Sequence, residues 1–182
     1  MTSPSLEFAP VTPERWADFV RLFERRGSPH YCWCMAWRRV PSELRDRPDT
    51  KRAAIEARAL AGEPIGILAY LEGDPVAWCS VAPRDTHRPL GGDDYPEGTS
   101  VWSITCFFAM RELRGTGIAG RLLSAACDRA TDAGADVIEA YPVDPESPSY
   151  RFMGLVPAFL AAGFEETGTA GTRRRVMRKL LT

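Results

Sequence analysis

The sequence predicts an α/β (α+β) fold, with helices laid against a sheet, and three stretches carry that expectation. Val101 to Gly134 passes from an apolar run rich in β-branched and aromatic residues, VWSITCFFAM, to a polar turn, a glycine-rich loop and a long helical pattern. It reads strand, loop, helix. Ile65 to Leu71 and Val76 to Val81 flank Glu72-Gly-Asp-Pro75, a hairpin with its turn chemistry in place. Phe164 to Thr167 and Arg173 to Leu180 close the chain as a second hairpin around Gly168-Thr-Ala-Gly171.

In chain order, Ser5 to Val11 reads as a short edge strand. Thr12-Pro-Glu then offers an N-cap threonine and a proline at the first helical position, and Trp16, Phe19, Val20 and Phe23 fall on one face before Gly27 ends the helix. The segment from His30 to Arg39, HYCWCMAWRR, is unusually aromatic and cysteine-rich for a connection. It reads either as a core plug or as the wall of an acceptor pocket, since aromatic rings give rigid apolar contact area. A polar linker from Pro41 to Pro48 leads to a helix opening at Asp49-Thr50, carrying Ala53, Ile55, Ala57 and Leu60, and stopped by Gly62.

After the first hairpin, Pro83 to Thr99 is a long loop with three prolines, a glycine pair and the acids Asp85, Asp93, Asp94 and Glu97. Loops of that length are often functional; the acids suit either a cationic acceptor or plain solvation. In the central helix Ile118, Leu122, Ala126 and Ala130 recur every four positions, with Leu123 and Cys127 widening the stripe and Gly134 as the stop. Asp136 to Tyr141 is a short strand ended by Pro142, followed by an acidic, turn-rich loop from Val143 to Pro148. Phe152 to Ala162 reads as a helix whose regular part begins near Pro157.

With 182 residues the chain is expected to form one domain spanning 1–182, long enough to bury roughly 70% of its unfolded surface. A net charge of -1 calls for neither nucleic acid nor an anionic membrane. MTSPSLEFAPVT has no basic start and no apolar run, and no stretch approaches the roughly 20 apolar residues that span a bilayer, so a cytoplasmic location is expected. The 5 cysteines read as reduced thiols. His30, Cys32 and Cys34 have no second ligand cluster to complete a tetrahedral site, and no metal is expected.

The chemistry concentrates in Arg114-Gly-Thr-Gly-Ile-Ala-Gly120. Glycines at the mouth of a helix leave its free N–H groups and the positive end of its dipole open to an anion, most often a phosphate. The spacing also matches the dinucleotide fingerprint G-x-G-x-x-G, with Glu139 at about the offset of a ribose-binding acid. Against that reading stand the polar segment Arg111 to Arg114 between strand and first glycine, and the little chain that remains for further strand and helix units.

Arg114-Gly-Thr-Gly117-Ile-Ala119, directly after a strand and opening a helix, resembles the Arg/Gln-x-x-Gly-x-Gly/Ala signature of the GNAT N-acetyltransferase superfamily. The order of the later elements is similar too, so the resemblance covers most of the chain. It implies a mixed, mostly antiparallel sheet that splays between the central strand and the next one. It also implies acetyl transfer from acetyl-CoA to a primary amine of a small molecule or protein, by direct attack on the thioester. Backbone groups of Phe107, Phe108 and Ala109 would then pair with the pantetheine arm, and Arg114, Gly115, Thr116, Gly117, Ile118, Ala119 and Gly120 would hold the pyrophosphate. Four residues before Gly163, where many of these enzymes place the tyrosine that protonates sulfur, the chain has Phe159. Tyr141 is the first substitute as acid and Tyr150 the second; Glu139, Asp144 and Glu146 are the candidate bases, and Tyr31, Trp33 and Trp37 the candidate acceptor contacts. A non-catalytic acyl-CoA-binding sensor and a dinucleotide oxidoreductase are the alternative readings. The oligomeric state stays open between monomer and homodimer.

Overall fold

A computed structural model describes residues 5–182. Residues 1–4, the start of the segment read for a leader, lie outside the described residues. Seven strands form one sheet: β1 (Leu6–Pro10), β2 (Ile67–Leu71), β3 (Asp74–Pro83), β4 (Val101–Ala109), β5 (Val137–Ala140), β6 (Glu165–Ala170) and β7 (Arg174–Leu180). Their spatial order is β1-β2-β3-β4-β5-β7-β6, and every neighbouring pair is antiparallel except β4 with β5. That parallel pair needs a crossover, which the helix α3 (Ile118–Asp132) supplies.

Side chains alternate across the strands, so each face collects its own core. On one face Ile118, Leu122, Leu123, Ala126, Cys127 and Ala130, the stripe expected from the sequence, pack against Cys79, Trp102, Ile104 and Ile138. The short helix α4 (Val156–Ala161) adds Val156 and Phe159 to the same core. The other face packs α1 (Trp16–Phe23) and α2 (Thr50–Leu60) through Phe19, Leu22, Phe23 and Ile55 onto Leu68, Trp78 and Cys106. Phe19 and Phe23 are fully buried. Burying a side chain of that size stabilises the fold by roughly 1.5–3 kcal/mol.

Two features differ from expectation. The closing hairpin turns at residues 171–173, because β6 runs through Gly168 with a shift of register against β7. The expected helix from Phe152 is broken: Arg151–Met153 makes one 3-10 turn, and α4 starts only at Val156. Gly154 explains the break, since it holds φ at +97° with the Phe159 ring 2.5 Å from where a Cβ would stand. No other residue fits there without moving that ring.

The splay is visible in the register. β4 and β5 pair at Val101↔Val137, Trp102↔Ile138, Ser103↔Glu139 and Ile104↔Ala140, and there the pairing stops. β4 continues to Ala109, still bonded to β3 on its other side. Between Ile104 and Cys106 the β3–β4 register slips, leaving Thr105 as a bulge where the strands begin to part.

Candidate active site

The free edge of β4 opens into a cleft of about 680 Å³. Its walls are Cys106, Phe107, Phe108 and Ala109 from β4, Arg114 from the following loop, Arg151 and Phe152 from the turn before α4, and Pro29, Tyr31, Cys32, Cys34 and Ala36 from the connection after α1. The strand edge, Arg114 just before the glycine loop and the cysteine-rich segment therefore meet in one place.

Arg114, which lines the cleft, leads into the mouth of α3. Gly117 caps it at φ +82° with no side-chain cap, and Gly115 sits at φ +78°. The first bond of the helix runs from the Arg121 N–H to the Gly117 carbonyl, so the N–H groups of Ile118, Ala119 and Gly120 have no acceptor one turn back. The N–H groups of Gly115 and Gly117 have no backbone acceptor either. Nothing lies within 4 Å of the space a Cβ would take at Gly115, Gly117 or Gly120. Among these residues only Ile118 is buried, as the helix's first core contact; Thr116 and Ala119 are exposed. Free donors, an open approach and the positive helix end together form a cradle of the kind that suits an anion. Arg114 donates from Nε to the Ala109 carbonyl at 3.1 Å, which fixes the cradle to the end of β4.

The candidate acceptor contacts divide. Tyr31 lines the cleft and is 74% exposed at its rim. Trp33 turns away and stacks on Phe23 at 5.6 Å, with the Arg52 guanidinium 5.4 Å over its ring. Trp37 lies between the guanidinium groups of Arg174, at 4.4 Å, and Arg88, at 5.4 Å. Neither tryptophan lines the cleft. Phe152 and Arg151, from the turn before α4, do.

None of Glu139, Tyr141 and Asp144 lines the cleft. Glu139 is 1% exposed and accepts from Tyr95 Oη at 2.6 Å and Tyr141 Oη at 2.7 Å, with Arg84 Nε at 3.6 Å. Tyr141 is fully buried, and Ser103 Oγ lies 2.9 Å from its hydroxyl. Burial, and then the Glu139 carboxylate, push its pKa well above the usual phenol range. Tyr95 is raised by the same two causes in the same order. The group anchors the loop between β3 and β4 onto β5. Asp144 pairs with Arg175 at 3.1 Å beside a separate, smaller hollow of about 300 Å³, where Glu146 also lies. Tyr150 packs near Trp37 and Arg174. Phe159 is buried edge-to-face on Phe107, beneath the strand edge.

The sequence model of the acetyltransferase (GNAT) family matches residues 14–154. No curated relative matches the chain in sequence. Several solved structures share its fold. An acetyltransferase of the GNAT family from Streptococcus pneumoniae superposes with a TM-score of 0.57 at 13% identity, over 98% of this chain and 100% of that one. The aminoglycoside acetyltransferase AAC(6')-Ib, solved in complex with coenzyme A, gives 0.60 at 18% identity, over 97% and 95%. Ard1 from Thermoplasma volcanium gives 0.54 at 11% identity, over 97% and 98%.

Proposed function

The chain belongs to the acetyltransferase (GNAT) family, and we propose that it carries an acetyl group from acetyl-CoA to a primary amine with the thioester laid along the free edge of β4. One observation supports this most strongly: β4 loses its β5 partner after Ile104 yet runs on to Ala109, directly beside a helix mouth with free N–H groups. An extended pantetheine arm then adds to Phe107, Phe108 and Ala109 as a further strand would, and its pyrophosphate takes the donors from Gly115 to Gly120. Residues 1–182 act on this reading as one acetyltransferase domain.

The acceptor enters from the side of Tyr31 and Phe152. The cleft walls carry Arg114 and Arg151 and no carboxylate, which suits an amine on a neutral, anionic or aromatic body better than a polycation. Small-molecule and protein amines both meet that description, and the reading holds for a monomer or a homodimer. Five free cysteines, four of them buried, suit a reducing cytoplasm. The test is release of free CoA on challenge with a panel of neutral, anionic and cationic amines. Turnover with at least one non-polycationic amine supports the proposal; binding of acetyl-CoA with no turnover on any acceptor makes the protein a sensor instead.

A further inference from the structure

Another hollow, of about 530 Å³, shares no lining residue with the cleft. Its walls carry Arg38 and Arg39 from the connection after α1, Arg45 from the linker before α2, Arg58 from the last turn of α2 and Arg88 from the loop between β3 and β4, and the rest of its lining is apolar. The chain has a net charge of -1, so composition does not account for five guanidinium groups around one opening. Of the five, only Arg58 forms an ion pair among the described residues, with Glu63 at 3.2 Å.

Arg39, Arg45 and Arg88 are exposed, and alone they would be ordinary surface charge. Arg38 is different. It is 3% exposed; its Nη2 donates to the Ile65 carbonyl at 3.0 Å and to Ser80 Oγ at 3.2 Å, its Nη1 reaches Thr86 Oγ1 at 3.5 Å, and its Nε–H has no acceptor. Every one of those partners is neutral. Burial lowers its pKa to about 10, which leaves it a cation at neutral pH. Arg58 repeats the pattern from α2: Nη1 donates to Glu63 and Nη2 to the Arg39 carbonyl, while the buried Nε–H has no acceptor. Two orphaned donors on two cations of one wall are a costly arrangement, and an anion in the hollow would relieve both.

The donors set the chemistry of that anion. Guanidinium groups meet phosphate oxygens in paired hydrogen bonds, and a phosphate ester carries about -1.5 to -2 charge at neutral pH, more than a single carboxylate. With Glu63 offsetting only one of the five charges, the multiply charged group fits better. We propose that the arginine hollow is an anion site, separate from the α3 mouth, that binds a phosphate-bearing small molecule. It is joined to the cleft by one stretch of chain: Cys34 and Ala36 line the cleft, Arg38 and Arg39 line the hollow, and Arg88 donates to the Ala36 carbonyl from its side chain and to the Trp37 carbonyl from its backbone N–H. The phosphate arrives either on the acceptor amine or as a separate small anion. Binding in the hollow does not depend on the acetyltransferase reading; the first of these two sources does.

The experiment is a titration of the full chain with inorganic pyrophosphate at constant ionic strength, read on the arginine Nε–H signals of nitrogen-labelled protein. Gly117→Glu is titrated beside the wild type, because it closes the α3 mouth to the probe. The Arg38 and Arg58 signals should shift and saturate in both proteins, and chloride at the same ionic strength should leave them in place. Arg39→Gln combined with Arg45→Gln, both at exposed positions, should weaken pyrophosphate binding roughly tenfold or more with the melting temperature of the free protein unchanged. Arg38 and Arg58 signals that do not move, or a double variant that binds as tightly as the wild type, overturn the proposal. CoA release from acetyl-CoA with phosphoethanolamine and with ethanolamine then separates the sources. A preference for the phosphorylated amine that the double variant loses places the phosphate on the acceptor; pyrophosphate binding without that preference makes the ligand a separate anion, and either result sustains the site. Failure of acetyl-CoA to stabilise the wild type overturns the acetyltransferase reading and leaves the pyrophosphate result standing.

Discussion

Arg114 Nε donates to the carbonyl of Ala109 at 3.1 Å, so the loop that opens α3 is tied to the last residue of the unpaired strand edge. On the proposed function, that bond holds the two halves of the acetyl-CoA site, the α3 mouth and the β4 edge, at a fixed spacing. Arg114→Ala is therefore expected to raise KM for acetyl-CoA roughly tenfold, the worth of one charge-assisted bond, with a smaller change in kcat. Steady-state kinetics at varied acetyl-CoA check it; an unchanged KM would mean that the loop is held by other contacts.

Gly117 caps α3 in the left-handed region with open space over it. Acetyl-CoA at about a hundred times its dissociation constant should stabilise the wild type by roughly 2.7 kcal/mol. Gly117→Glu adds backbone strain and puts a negative charge at the diphosphate, and should abolish that stabilisation in a thermal-shift assay. NADH and NADPH should shift neither protein.

Tyr141 Oη donates to Glu139 and touches Ser103 with no opening to water. Tyr141→Phe leaves a buried carboxylate and hydroxyl one partner short, and should lower the unfolding free energy by about 1–3 kcal/mol. Denaturant unfolding measures it. No loss of stability would show that the hydroxyl is not committed to this network.

His87 is held neutral: burial first, and then the charge of Arg38, lower its pKa from 6.5 to about 3. Its folded pKa is depressed, so its contribution to stability is complete above pH 6.5 and is lost as pH falls from there toward 3. Exposed carboxylates titrate over part of the same range, so the informative quantity is the difference between wild type and His87→Gln. The fall in stability between these pH values should be shallower in the variant. Parallel curves would mean that the imidazole titrates normally.

Much of this was legible in the residues. The helical stripe from Ile118 to Ala130, the hairpin around Gly73 and the turn glycines Gly115 and Gly117 each rest on a local signal, a period or a backbone angle, and the structure keeps them. The cysteine-rich segment was legible only as unusual. With Trp33 and Cys34 both at positive φ, no periodicity says which side chain faces the cleft, and the tryptophans turned out to pack on Phe23 and Arg174 while Tyr31 and Cys34 line the opening. Glu139, one of the candidate bases, shares a strand face with Tyr141, as alternation along a strand predicts. Its partner Tyr95 comes from a loop 44 residues away, a closure that spacing does not reveal.

The measurement that bears most directly on the account is an amide-resolved NMR titration of the labelled protein with acetyl-CoA. Shifts should concentrate at Phe107, Phe108 and Ala109 and from Gly115 to Gly120, leaving Leu90 to Tyr95 unmoved. Shifts confined to the loop between β3 and β4, with the α3 mouth silent, would contradict it.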